Sequence, residues 1–222
     1  MPVAFRAAGA WSFTANNVAA SGSLTPGAPA GKAVGDLLFL IVESRGIATT
    51  VTTPSGWTAV SGSPFTSGTA SGGRIYVFTR VADGTATDTP SVSYSGATSG
   101  TTGDSTGAGI LAYTGVSATV DAAGVTTDLS AQTTTSAITG VTTATGGSLV
   151  LSITMKIIDF SGSSSVSGGT ERVDTLTTSG TGHGLEIYDT MVNPPGVSGT
   201  ATVTWGLATS ARAFGQSVCA RR

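Results

Sequence analysis

The chain has 222 residues, of which 39% are hydrophobic, only 10% are charged and 32 are glycine. The apolar fraction is large enough for a core and excludes wholesale disorder, and the length suits one all-β domain. A formal net charge of −2 excludes a general attraction to nucleic acid. Charged residues usually make up about a quarter of a soluble domain, so this surface must consist largely of Ser and Thr hydroxyls.

The start of the chain and its single cysteine argue against a secreted, disulfide-bonded protein. Residues 1–6 show no basic region followed by a long apolar run, so we expect no signal peptide and synthesis in a cytoplasm. No stretch approaches the roughly 18 apolar residues of a membrane span. Cys219 cannot form an internal disulfide, and its apolar surroundings predict a small buried residue. The terminal Arg221 and Arg222 are typical of a solvated tail.

Strand patterns recur along the first half, and no segment repeats apolar residues at helical spacing for three turns. The strand-like segments there are 3–14 (a weak opening pair), 37–42, 57–60, 74–81, 90–94 and 110–113. Residues 37–42 are continuously apolar, as expected for a central strand that is buried on both faces. Residues 74–81 alternate, which predicts Ile75 and Val77 on one face and Tyr76 and Phe78 on the other.

The second half repeats this order of segments. Its strand-like segments are 149–157, 170–173, 185–192, 201–205 and 213–220. Residues 74–96 align with residues 185–207 without a gap, so that Tyr94 falls on Trp205. A repeat of about 110 residues is too long for a solenoid unit, which usually has about 20–50. We therefore interpret the two halves as similar β layers that cover each other.

These patterns predict an all-β fold, a jelly-roll-like β-sandwich built from two pseudo-repeated halves. We expect one domain, residues 1–222, made of an N-terminal arm 1–33, a first repeat half 34–118, a connector 119–145 and a second repeat half 146–222. The connector is mostly Thr, Ala and Ser, and its short alternating pieces could pair with a sheet edge. Low-complexity segments at 61–73, 96–107, 160–169 and 179–184 are typical of exposed loops.

One motif matches a catalytic pattern. Residues 103–107, Gly-Asp-Ser-Thr-Gly, satisfy the Gly-x-Ser-x-Gly pattern of a nucleophile elbow, with Ser105 as nucleophile and His183, the only histidine, as its base. An elbow needs a strand before the serine and a helix after it, whereas here a Gly/Thr-rich loop precedes it and a strand-like segment follows. The pattern arises readily by chance in a chain this rich in glycine and serine. We expect no catalytic residues and no enzyme.

Metal and cofactor sites are not indicated either. One histidine and one cysteine cannot form a zinc site, and no phosphate-binding Gly-Lys-Ser/Thr sequence is present. Two sets of acidic residues are too dispersed for a calcium loop or a glycosidase pair, namely Asp83, Asp88 and Asp104, and Asp159, Glu171 and Asp174. We expect neither a metal nor a cofactor.

Six aromatic residues allow two interpretations: Trp11, Trp57, Tyr76, Tyr94, Tyr188 and Trp205. If some of them lay outside the sandwich, they could stack on sugars. Tyr94 and Trp205 take equivalent places in the two halves, within strand patterns, which favours a pair of core residues.

The first half also carries four ordered motifs: Gly-Asp-Leu-Leu-Phe-Leu at 35–40, Thr-Pro-Ser-Gly-Trp-Thr-Ala-Val at 53–60, Arg-Ile-Tyr-Val-Phe at 74–78 and Gly-Ile-Leu-Ala-Tyr-Thr-Gly-Val at 109–116. Together they resemble a domain of virion structural proteins from tailed bacteriophages. The similarity covers most of residues 20–222 and is weaker in the second half, where Glu171 stands at the place of Trp57. It implies a β-sandwich structural module without catalytic residues.

From this resemblance we expect a non-enzymatic virion protein, and within that class a capsid decoration (cement) protein that coats or stabilises the head. The alternative is a tail or tail-fibre adhesin that binds host surface glycans through loops at the sandwich ends. Expected partners are the major capsid protein and further copies of the chain, and the resemblance implies a trimer; nucleic acid and membranes are not expected. Low charge favours such self-association, since it minimises repulsion between identical surfaces. We expect residues 1–10 to serve contacts between chains more than the fold.

Overall fold

The computed structural model describes residues 2–15, 18–67, 72–122, 126–157, 163–206 and 211–221. Within these ranges the chain forms β-strands and one 3₁₀ turn, Ala86–Asp88, which confirms the all-β prediction. The strands up to the middle of the chain are β1 (Ala4–Ala8), β2 (Ser12–Phe13), β3 (Ser21–Leu24), β4 (Leu37–Arg45), β5 (Thr50–Val51), β6 (Thr58–Ala59), β7 (Phe65–Thr66), β8 (Gly73–Val81), β9 (Val92–Ser95) and β10 (Thr106–Thr114). The remaining strands are β11 (Val120–Ala122), β12 (Thr126–Thr133), β13 (Thr135–Ile138), β14 (Ser148–Lys156), β15 (Ser164–Ser167), β16 (Thr170–Thr177), β17 (His183–Val192), β18 (Ala201–Trp205) and β19 (Ala211–Ala220). In this part of the chain no helix has the length and apolar character needed to cross a membrane.

Two large antiparallel sheets form the middle of the molecule. The first inner sheet has the strand order β1-β10-β4-β8-β6, with β2 also on β10 and β7 also on β8. The second inner sheet has the order β11-β19-β14-β17-β16, with β12 also on β19. In each sheet the longest apolar segment, β4 or β14, lies between two long partners. A strand in that position is buried on both faces, as predicted for residues 37–42.

The two inner sheets pack face to face over the largest core. Because side chains alternate along a strand, Leu37, Phe39 and Ile41 of β4 share one face of the first inner sheet. They belong to the same buried cluster as Leu151 and Ile153 of β14 in the second. The two halves therefore cover each other, as the sequence predicts.

A smaller sheet covers the other face of each inner sheet. The first outer sheet has the order β3-β9-β5, and the second outer sheet has the order β13-β18-β15. Tyr94 of β9 is buried against the first inner sheet, and Trp205 of β18 is buried against the second. Trp205 Nε1 also donates a hydrogen bond to Ser136 Oγ, 2.8 Å away. The interpretation of this pair as core residues is confirmed, and the described structure has four β layers.

The N-terminal segment belongs to the fold itself. Strand β1 pairs with β10, and β2 pairs with the same strand instead of forming a hairpin with β1. Arg6 donates two hydrogen bonds to the buried carboxylate of Asp36, at 2.5 and 2.9 Å. Backbone pairing within the chain therefore already holds much of residues 1–10, so this segment contributes to the fold. Its role in contacts between chains stays a prediction. The connector likewise supplies strands, since β13 pairs with β18.

The motif at residues 53–60 forms a turn that is tied to its surroundings. Gly56 has a positive φ of 77°, a conformation that favours glycine. The buried indole of Trp57 donates to the carbonyl of Thr87 at 2.9 Å, and Arg80 donates to the carbonyl of Gly56 at 2.9 Å. These contacts join the turn to the 3₁₀ turn and to β8, so the motif has a structural role in this chain.

Candidate functional site

Ser105 and His183 lie side by side where the two halves meet. Ser105 immediately precedes β10, and His183 is the first residue of β17. Ser105 Oγ is 2.7 Å from His183 Nδ1 and 2.7 Å from the carbonyl oxygen of Thr181. On the other side of the imidazole, His183 Nε2 is 3.0 Å from Oε1 of Glu43 near the end of β4. The structure thus assembles a serine, a histidine and a glutamate in a row, and sequence reasoning missed Glu43.

The partners in this row differ in what they can donate. The carbonyl of Thr181 can only accept, so the Ser105 hydroxyl donates to it. The direction of the hydrogen bond between Ser105 Oγ and His183 Nδ1 depends on the tautomer of the imidazole. The contact of Nε2 with Glu43 is within ion-pair distance but is poorly aligned for a hydrogen bond, and both carboxylate oxygens of Glu43 lack a hydrogen-bond donor among the described residues. In this arrangement the carbonyl of Thr181 engages the hydroxyl of Ser105.

The same row is closed to solvent. Ser105, His183 and Glu43 each have 0% of their surface exposed. The ring of Phe13 in β2 lies 6.3 Å from the imidazole, at an angle of 64°. A side chain at Gly107 would meet the Phe13 ring at 2.6 Å and Glu43 Oε1 at 2.8 Å. The last glycine of the Gly-x-Ser-x-Gly pattern therefore makes room for packing, and the buried row is part of the core.

An open pocket of about 290 Å³ lies beside this row, and its lining residues include Arg45, Ala48, Asp104 and Thr181. Arg45 Nη1 donates to the carbonyl of Gly182 at 2.9 Å, which is a further contact between the halves. Ser105 and His183 do not line the pocket. Among the described residues, the serine and the pocket are therefore separate features.

A second group of polar contacts joins the two halves near β1. The hydroxyl of Tyr113 in β10 donates to Asp189 of β17 at 2.8 Å, and Arg172 of β16 donates to the same carboxylate at 2.7 and 3.1 Å. The guanidinium of Arg172 lies 4.6 Å from the centre of the Phe5 ring. These contacts connect β1, β10, β16 and β17.

The acidic residues named from sequence differ in their surroundings. Asp83 and Asp88 form ion pairs with Arg80, so they have structural partners. Glu171 and Asp174 of β16 come together with Glu186 of β17, and the three side chains have oxygens that all lie within 4.8 Å of one another. Asp159 lies outside the described residues.

Glu186 is the buried member of this acidic group, which sequence reasoning also missed. Burial raises the pKa of Glu186 to about 8, against a hydrogen bond from Ser164 that lowers it, and the nearby carboxylates of Glu171 and Asp174 raise it further. A carboxyl with that pKa is largely protonated at neutral pH unless a cation compensates its charge.

The six aromatic residues considered as a sugar platform are mainly core residues. Trp57, Tyr76, Tyr94, Tyr188 and Trp205 are all buried. Trp11 is partly exposed, and its indole covers the backbone at Gly109. Stacking on a sugar would require at least one of these rings to leave its present contacts.

Comparisons with family models, with curated proteins and with solved structures give no match.

Proposed function

We propose that this protein is a non-enzymatic structural component of a bacteriophage virion, and within that class a decoration (cement) protein of the capsid. The complete burial of Ser105, His183 and Glu43 carries the non-enzymatic part of this proposal. A serine hydrolase needs an accessible hydroxyl that faces its base and an oxyanion site. In this chain the hydroxyl faces the carbonyl of Thr181 inside the core.

The virion part of the proposal is supported by the four motifs of the first half and by the surface. Motif residues such as Asp36 and Trp57 hold turns and strands in place, as a structural module requires. Only 10% of the residues are charged, and a neutral, hydroxyl-rich surface tolerates close packing against capsid subunits or further copies of the chain. A homo-oligomer, with a trimer as the first candidate, is part of the proposal.

We also propose that the two halves are repeats of one unit with jelly-roll-like connections. Strand β4 lies between β10 and β8, and β14 lies between β19 and β17. Each inner sheet carries a three-stranded outer sheet on its other face. The same strand arrangement in both halves supports a common origin.

Electron microscopy of virions that carry a labelled copy of the chain tests the location. A decoration protein should label the head at regular positions, and it should bind purified capsids but not host cells. A label confined to the tail, together with glycan-dependent binding to cells, would contradict the proposal and favour the adhesin. Virions without any label would overturn both assignments. Unlabelled virions imaged in the same way are the control.

A further inference from the structure

The acidic group arises from the pairing of β16 with β17. Asp174 stands directly opposite Glu186 in the antiparallel register, where two like charges destabilise a sheet. The register shifts between Glu171 and Val173, so Arg172 is an extra residue in a β-bulge. Because of the bulge, Glu171 falls opposite Tyr188, on the same face as Glu186. A regular strand would have placed Glu171 and Asp174 on opposite faces.

The described structure gives these carboxylates little compensation. None of its ion pairs includes Glu171, Asp174 or Glu186. The backbone N–H of Ser164 donates to Asp174 at 2.9 Å, and the Ser164 hydroxyl donates to Oε2 of Glu186. Glu186 has 0% of its surface exposed, and its Oε1 has no hydrogen-bond partner among the described residues. An unpartnered buried carboxylate oxygen is costly unless a proton or a cation satisfies it.

We propose that Glu171, Asp174 and Glu186 bind a divalent cation, and that the cation is Ca²⁺. Carboxylate oxygens are the ligands that hard cations prefer. The ligand oxygens of the three side chains all lie within 4.8 Å of one another, so one cation can contact all three. Ca²⁺ accepts several carboxylates in a flexible geometry, whereas Mg²⁺ usually keeps several waters and binds one or two carboxylates, so a group of three favours Ca²⁺. Glu171 and Asp174 are exposed, so water can complete the coordination.

A bound cation would also explain the place of the group in the fold. Ser164 belongs to the second outer sheet, and it already contacts Asp174 and Glu186 of the second inner sheet. A cation at this point would bind carboxylates of β16 and β17, which also contact the first residue of β15. Its binding therefore stabilises the contact between the two sheets and the pairing of β16 with β17.

The test is calorimetric titration of the full, chelator-treated protein with CaCl₂, together with thermal unfolding at several Ca²⁺ concentrations. We expect a dissociation constant in the range of about 10⁻⁴–10⁻³ M or tighter, and a melting temperature that rises with Ca²⁺. The double variant Glu171→Gln/Asp174→Asn should lose at least about tenfold in affinity, since it keeps only one of the three charges. Asp104→Asn, which removes a carboxylate outside the group, is the matched control and should bind like the wild type.

The melting temperature measured without Ca²⁺ distinguishes a loss of Ca²⁺ binding from damage to the fold. In chelator the double variant should melt at the wild-type temperature or above it, because the repulsion between carboxylates is relieved. Absence of heat and of any melting shift up to about 10 mM Ca²⁺ would overturn the site. Undiminished Ca²⁺ binding by the double variant would also overturn it. Tighter binding of Mg²⁺ than of Ca²⁺ would overturn the choice of ion.

Discussion

Asp88 is a buried carboxylate that the chain surrounds with donors. It accepts hydrogen bonds from Lys32 Nζ at 2.9 Å, Arg80 Nε at 3.0 Å, and the backbone N–H groups of Asp83 and Gly84 at 3.3 and 3.0 Å. Burial alone raises the pKa of Asp88, but the hydrogen bonds from Lys32, Arg80 and the backbone outweigh it and hold the pKa below its ordinary value of 3.8. Asp88 therefore stabilises the 3₁₀ turn in its charged form.

The sign of the pH dependence follows from that lowered pKa. A carboxylate with a depressed pKa in the folded state contributes stability above its unfolded pKa, and this is lost as the pH falls through the folded value. Asp88→Asn should lower the free energy of unfolding at pH 7 by about 2–4 kcal/mol, and should flatten its fall below about pH 4. Urea unfolding between about pH 7 and 2 measures both effects.

The control for this prediction is Asp83→Asn, at a side chain that is half exposed. Solvent weakens an exposed ion pair, so the loss of stability should be smaller than for Asp88→Asn. Equal pH profiles for the wild type and Asp88→Asn would show that Asp88 carries no acid-labile stability.

Single residues also show which parts of the candidate sites could not be predicted from the sequence. The Gly-x-Ser-x-Gly pattern and the only histidine directed attention to Ser105 and His183, which are indeed in contact. Glu43 directly follows the apolar run 37–42, and only the register of β4 against β10 places it opposite Gly107. The acidic group depends on a β-bulge in β16. Register and bulges are properties of paired strands, so one strand's sequence does not reveal them.

At the scale of elements, β1 contributes to the fold through its backbone and its side chains. It pairs with β10, and the ring of Phe5 lies 5.3 Å from the ring of Tyr113 in an edge-on arrangement. Removing residues 2–10 would expose one edge of β10 and the buried carboxylate of Asp36. We expect a loss of about 2–4 kcal/mol in the free energy of unfolding.

Chemical unfolding of the truncated chain, with sedimentation to follow assembly, tests this role of β1. Arg6→Gln in the full-length chain is a milder companion variant, since it keeps the backbone pairing and weakens only the contact with Asp36. A truncated protein with unchanged stability and impaired assembly would contradict this role in the fold and show that these residues act between chains.

Long strands were predicted better than short or polar ones. Strands β4, β8 and β14 have apolar or alternating runs of about six to nine residues, and the sequence placed them within a few positions. Strand β16 runs from Thr170 to Thr177, whereas the prediction ended at residue 173. Strand β12 is mostly polar, and nothing in its sequence separates it from a loop. Such strands form because a neighbouring strand supplies the hydrogen-bond partners. That neighbour is distant in sequence, so the local pattern does not reveal it.

At the scale of the whole molecule, the two inner sheets share one core. Leu151 of the second half is fully buried in the same cluster as Phe39 of the first. Neither half can lose its structure without exposing the apolar face of the other. We therefore expect a single cooperative unfolding transition, with equal calorimetric and van't Hoff enthalpies.

Differential scanning calorimetry of the wild type and of Leu151→Ala measures this coupling. The substitution should lower the stability by about 2–5 kcal/mol, and it should shift one transition that includes both halves. Val34→Ala, at a side chain that is 74% exposed, is a control that should change little. Two separate transitions, with only one displaced by Leu151→Ala, would show that the halves fold independently.

The sequence predicted two layers that cover each other, and the structure adds an outer sheet to each. The strands of the outer sheets are short, with four residues in β9 and five in β18. In such segments an alternating pattern has too few positions to indicate which sheet the strand joins. The available signal in these strands was one large aromatic residue in each, Tyr94 and Trp205. Such a residue indicates that the strand packs against another sheet.

The position of β16 has a consequence for solubility. Within the described structure β16 is the outermost strand of the second inner sheet, so one row of its backbone groups has no strand beside it. An open edge can recruit a strand from another molecule and start aggregation. Glu171, Arg172 and Asp174 place three charges on this strand, in a chain that has few, and the bulge distorts its edge. The charges and the bulge of β16 therefore oppose its pairing with the edge strand of another molecule.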